Sequence, residues 1–135
     1  MVESITPAQS FAALAADPQA QLIDVRTDAE WQYVGLPDLR GIGKKLFLIS
    51  WQFFPDGRLN EDFVGGLRRA GLTPEQNLHF ICRSGVRSLA AAQAAREGGF
   101  LHVVNVADGF EGNVDGAGHR GTREGWKAAG LAWRQ

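Results

Sequence analysis

Leu78-His79-Phe80-Ile81-Cys82-Arg83-Ser84-Gly85-Val86-Arg87-Ser88 is the stretch on which the fold turns. Its first four residues read as a short buried strand. The alanine-rich segment 88–97 that follows reads as a helix, closed by Gly98-Gly99. The loop between them is short and must curl tightly, and Gly85 supplies permissive backbone geometry. A curled loop entering a helix N-terminus aims several backbone N–H groups at one point. Arg83 and Arg87 add positive charge beside Cys82. Surroundings of this kind favour a thiolate over a thiol, so the loop reads as an anion cradle with a nucleophile at its centre. The plainer alternative is a small buried hydrophobe. A packing cysteine needs neither the two arginines, nor the glycine, nor the helix start.

Working outward, the same strand-then-helix rhythm repeats. Thr6-Pro7 predicts a helix start, with Thr6 as N-cap, Pro7 at the first helical position, and Phe11 and Leu14 on the buried face. Gln21-Leu22-Ile23-Asp24-Val25 reads as a second buried strand, and Thr27 with Glu30 forms a capping box for a short helix through Trp31 and Tyr33. Segment 45–51 is apolar and reads as a strand or a turn with strand character. Asn60 is expected to cap the next helix, with Glu61 and Asp62 in its first turn, Phe63, Val64 and Leu67 facing inward, and Gly71 as the stop. Segment 102–106 reads as another strand, 107–125 as a glycine-rich polar loop, and 126–129 as a short helix. Alternation of this sort predicts an α/β fold with a mostly parallel sheet. Ligand sites in such sheets lie beyond the carboxyl ends of the strands, which marks the residues just after Val25, Ile81 and Val106.

The bulk properties narrow the function. A chain of 135 residues fits one domain, 1–135, and 44% hydrophobic residues suffice for a core. A formal net charge of −1 points to neither nucleic acid nor an anionic membrane. The apolar runs are too short to span a bilayer, and Met1-Val2-Glu3-Ser4 does not begin a signal peptide. A cytoplasmic location is the resulting expectation. Cys82 is the single cysteine, so an internal disulfide or a Cys-x-x-Cys pair is excluded. His79, His102 and His119 show no zinc-ligand spacing with it, so no metal and no cofactor is expected.

Leu22-Ile23-Asp24-Val25-Arg26, Glu30-Trp31 and the Cys82–Ser88 loop together resemble the single-domain rhodanese family, the thiosulfate sulfurtransferases. Val103-Val104-Asn105-Val106, Gly109-Phe110 and the run from Gly125-Trp126 to Gly130-Leu131 extend the resemblance over most of the chain. It implies a five-stranded, mostly parallel sheet flanked by helices on both faces. It also implies transfer of sulfane sulfur from thiosulfate, or a related small anionic donor, to a thiol, cyanide or protein acceptor. On this resemblance Cys82 carries the persulfide. The backbone of Arg83, Ser84, Gly85, Val86, Arg87 and Ser88 cradles the sulfur, and the Arg83 side chain meets the donor. Arg87 braces the loop against Asp24 or Glu30, while Asp24 and Arg26 are supporting residues, either ion-paired or in direct contact. No oligomeric state is implied.

The chain departs from the family pattern in two places. Gly35-Leu36-Pro37-Asp38-Leu39-Arg40-Gly41 replaces a Gly-His-Ile-x-Gly-Ala stretch, and the following 44–58 segment is unusual, with Trp51, Phe53 and Phe54. A longer 111–124 segment carries His119, Arg120 and Arg123. Both are candidates for the rim of the active-site mouth, with ordinary surface loops as the competing reading. Two other functions are compatible with parts of the sequence. A phosphatase or arsenate reductase is disfavoured, because only four residues separate Cys82 from Arg87 where phosphatase loops have five. A non-catalytic or partner-dependent rhodanese-like sulfur-carrier or binding module is the nearer alternative, favoured if the aromatics at 51–54 are exposed.

Overall fold

In the computed structural model, which describes residues 2–135, five strands form one sheet in the order β1-β8-β7-β2-β4. They are β1 (Glu3–Ile5), β2 (Ala20–Asp24), β4 (Leu46–Leu48), β7 (Asn77–Ile81) and β8 (Val103–Val106). Every pairing within this sheet is parallel, so the fold is the expected rhodanese-like α/β sheet, with no antiparallel member. The helices are α1 (Pro7–Ala16), α2 (Asp28–Tyr33), α3 (Phe63–Arg69) and α4 (Val86–Glu97). Two small antiparallel pairs lie outside the sheet: β3 (Leu36–Pro37) with β9 (Trp133–Arg134), and β5 (Gln52–Phe53) with β6 (Arg58–Leu59).

Strand alternation divides the interior into two cores. Ile23, Val25, Leu78, Phe80 and Cys82 pack with Phe63 and Leu67 of α3 and with Ala91, Ala92 and Ala95 of α4. Ala20, Leu22, Ile81 and Val106 face the other way, toward Leu14 of α1, Phe110 and Trp126. Alanines let α4 lie close to the sheet, and each fully buried leucine or phenylalanine contributes about 2 kcal/mol of transfer free energy. Thr6 and Thr27 cap α1 and α2 as expected, each in a complete capping box, with Gln9 and Glu30 as the reciprocal partners.

Several boundaries differ from the sequence reading. The third helix starts at Phe63, and Asn60 does not cap it. Asn60 instead ties down a turn: its Oδ1 accepts from the Asp62 N–H at 3.1 Å and its Nδ2 donates to the Ser50 carbonyl at 3.0 Å. Asp62 becomes the N-cap, and neither it nor Glu61 falls in the first turn. The fourth helix starts at Val86, two residues before the expected Ser88, because Gly85 turns the chain into it at φ +105°. Residues 126–129 make a turn rather than a helix, closed by Ala129 N–H to Gly125 O at 3.0 Å. The edge strand β1 was not anticipated, since Glu3 and Ser4 are exposed and carry no apolar alternation.

Candidate active site

Cys82 follows β7 directly, between β2 on one side and β8 on the other. Its side chain is buried, and its Sγ accepts a hydrogen bond from the Gly85 N–H at 3.1 Å. The Ser88 hydroxyl lies 3.2 Å from the same sulfur. The thiol therefore stands at the border between the α3–α4 core and the cleft, with one backbone N–H and one hydroxyl on its sulfur.

The loop is held from behind by main chain. Phe110 N–H donates to the Cys82 carbonyl at 2.7 Å, and the Glu111 and Gly112 N–H groups donate to the Arg83 carbonyl at 3.0 and 3.1 Å. In a planar trans peptide the N–H points opposite to the C=O. The N–H groups of Arg83 and Ser84 accordingly face away from the 110–112 backbone. This close approach dictates Gly109, at φ +63°, where an added Cβ would stand 2.4 Å from the Cys82 carbonyl oxygen. Gly85 is called for mainly by its φ of +105°, and an added Cβ there would also press on the Asp108 nitrogen at 3.3 Å.

Arg87 reaches across to α2. Its Nη1 and Nη2 donate to the two Glu30 carboxylate oxygens at 2.6 and 2.9 Å, a bidentate pair. Glu30 Oε1 also accepts from the Thr27 N–H at 3.2 Å, so one carboxylate both caps α2 and anchors the loop. Burial opposes the charge on Glu30, yet hydrogen bonds and charge from Arg87 hold its carboxyl below the usual range. Asp24 takes no part in that brace. It is fully buried and bound to Arg26, whose Nη2 donates at 2.7 Å to Asp24 Oδ2 and at 2.8 Å to the Gly35 carbonyl. The Arg26 guanidinium also lies 4.3 Å from the centre of the Phe110 ring. Asp24 and Arg26 thus form a buried strut under the site and do not line the cleft.

The cleft encloses about 900 Å³, far more than a small inorganic anion occupies. Cys82, Arg83, Ser84, Val86 and Arg87 form one wall. A second wall comes from Phe53, Phe54 and Pro55 of the β5–β6 hairpin, and the 111–124 segment adds Arg120 and Glu111, the latter next to Arg83. Both departures from the family pattern therefore reach the mouth, although His119 and Arg123 lie away from it. Trp51 is half-buried and packs edge-on against Phe63 at 5.3 Å, whereas Phe54 is 63% exposed. Asn105 of β8, unassigned by the sequence reading, joins the site: the Ser88 hydroxyl donates to its Oδ1 at 2.5 Å and its Nδ2 donates to the Gly85 carbonyl at 3.2 Å. A lone amide within Val-Val-Asn-Val was the available signal. Among the described residues no cluster of three or more His, Cys, Asp or Glu side chains is placed to hold a metal, and no helix is long and apolar enough to cross a membrane.

A parallel α/β sheet that delivers a cysteine to a loop-to-helix cradle at its carboxyl edge defines a class of single-thiol proteins. The chain belongs to the rhodanese-like domain family, whose model matches residues 7–114. The crystal structure of Rv0390 from M. tuberculosis superposes with a TM-score of 0.91 at 45% identity, covering 99% of this chain and 98% of that one. The RP600 homolog of Rickettsia rickettsii is 37% identical over 134 residues, 98% of each chain. The polysulfide-sulfur transferase homodimer of Wolinella succinogenes matches with a TM-score of 0.62 at 25% identity, covering 80% of this chain and 69% of that one.

Proposed function

We propose that this protein is a sulfurtransferase that carries sulfane sulfur as a persulfide on Cys82. The observation that carries the reading is the Cys82 sulfur itself, which accepts from the Gly85 N–H at 3.1 Å and fronts a cleft rimmed by Arg83. The likeness to a polysulfide-sulfur transferase supports the same chemistry. The Cys82 thiolate attacks the outer sulfur of thiosulfate. A bond forms between the two sulfurs, the bond to the sulfonate sulfur breaks, and sulfite leaves with the electron pair. A thiophilic acceptor such as cyanide then attacks the terminal sulfur and releases the thiolate. The exposed Arg83 side chain meets the anionic donor, and the Gly85 N–H stabilises the charge on Sγ.

Intact-mass measurement after incubation with thiosulfate tests the proposal. A gain of one sulfur atom, reversed by reductant and absent in Cys82→Ser, is expected. An unchanged mass sinks it. A second reading, a sulfur carrier that hands its cargo to a partner protein, is favoured by Phe54 and Val86, which are 63% and 76% exposed and both line the cleft. Stoichiometric loading combined with slow turnover on cyanide is its expected signature.

A further inference from the structure

Resting on that reading, we infer that Asn105 is a positioning residue for sulfur transfer. It decides where the single hydroxyl hydrogen of Ser88 sits as charge arrives on, and leaves, the Cys82 sulfur.

Asn105 is 4% exposed, and Ser88 is fully buried. Buried amides and hydroxyls are retained only where their hydrogen-bonding groups find partners. The neighbours fix the orientation of this amide. The Gly85 carbonyl can only accept, so Nδ2 faces it at 3.2 Å, and the same nitrogen lies 3.2 Å from Ser4 Oγ. Oδ1 is thereby turned to Ser88. The Ser88 hydroxyl has one hydrogen and two acceptors in reach: Asn105 Oδ1 at 2.5 Å and Cys82 Sγ at 3.2 Å.

The two acceptors change rank through the reaction. Against a neutral thiol, a weak acceptor, the nearer amide oxygen holds the hydrogen. A thiolate carries a full charge and attracts the hydroxyl strongly. Once sulfur is loaded, the charge sits on the terminal sulfur and Sγ is again a weak acceptor. The hydrogen then returns to Asn105, so a buried hydroxyl is never left without a partner. Asn105 thus competes with the free thiolate for the hydrogen and supports the sulfur-loaded state.

This arrangement gives two effects of opposite sign. Asn105→Leu removes the competing acceptor, so Ser88 donates to sulfur alone. Alkylation of Cys82 by iodoacetamide at pH 7 is expected to rise about fivefold, the share of one net hydrogen bond. The limiting rate at high pH stays the same, and the fraction loaded at equilibrium with thiosulfate and sulfite falls. Asn105→Asp supplies a stronger acceptor and a charge, and slows alkylation at pH 7. In a Ser88→Ala background the Asn105→Leu effect disappears. Asn105→Val, which suits a strand, replaces the leucine variant if that one does not fold. A merely structural role would move both variants in the same direction, following the melting temperature; that result, or an Asn105→Leu effect that persists without Ser88, overturns the inference. Alkylation needs no sulfur donor. A chain that shows opposed shifts but never gains sulfur therefore loses the sulfur-transfer reading and keeps Asn105 as the residue that places the Ser88 hydrogen beside the Cys82 sulfur.

Discussion

The two walls of the cleft are built in different ways. The 82–88 wall is held by main-chain hydrogen bonds from 110–112, by the Glu30–Arg87 pair and by buried Ser88 and Asn105. The facing hairpin, β5 with β6, is a two-residue pairing whose side chains are half-buried or exposed. The Arg58 guanidinium lies over its Phe53 ring, 5.1 Å from the centre. One wall is tied to distant main chain along its length, and the other is anchored at its base by the Trp51 N–H on the Val25 carbonyl while its paired side chains stay half-buried or exposed. On the proposed function, the first wall would carry the chemistry and the second would meet the acceptor.

The comparison is broken most severely at Cys82. Cys82→Ser is expected to abolish thiocyanate formation from thiosulfate and cyanide while the melting temperature stays near that of the native chain. Residual turnover in that variant removes Cys82 as carrier. Gly109→Ala comes next, because its Cβ would strike a carbonyl oxygen that the backbone cannot move. A loss of about 3 kcal/mol in denaturant unfolding is expected, with a fall in activity. The rigid half also has an acid limit. Burial pushes the His79 imidazole down to about 4 from 6.5, while it shares a 2.8 Å hydrogen bond with Ser10. Between those values the unfolded chain binds the extra proton. Stability is therefore full above pH 6.5 and declines by about 3 kcal/mol as pH falls to 4. His79→Gln should flatten that slope.

The arginines sharpen the contrast. Arg87→Ala leaves Glu30 without its bidentate partner and should cost about 1–2 kcal/mol, allowing for partial exposure of the pair. Arg83→Ala should stay within about 0.5 kcal/mol of native stability and raise KM for thiosulfate. Equal stability in the two variants would remove the brace. The smallest effect is expected at Phe54→Ala: stability changes by less than about 0.5 kcal/mol, and kcat/KM falls more for an organic thiol acceptor than for cyanide. An equal fall for both acceptors would show that the second wall does not select.

What was legible in the sequence was what short-range chemistry encodes. Thr6-Pro7 and the Thr27–Glu30 spacing announce helix starts because a cap and its partner lie three residues apart. The cysteine loop was legible because strand, glycine and helix follow one another directly. Arg87 was identified as a brace, but its partner, Glu30 rather than Asp24, depends on how β2 and α2 sit beside β7. Asn105 and the Phe110–Gly112 backbone reach the loop from β8 and beyond, and no local pattern reveals such distant contacts. Asn60 resembled a cap by composition, but its side chain was claimed by Ser50. The strands β1, β3 and β9 are too short or too polar to show a period.

β7 occupies the middle of the sheet, with ladders to β2 and β8 on its two sides. Freeing it means tearing both, so its amides should exchange with deuterium only through near-complete unfolding, more slowly than those of the edge strands β1 and β4. Cys82 is thereby mounted at the end of the strand expected to yield last.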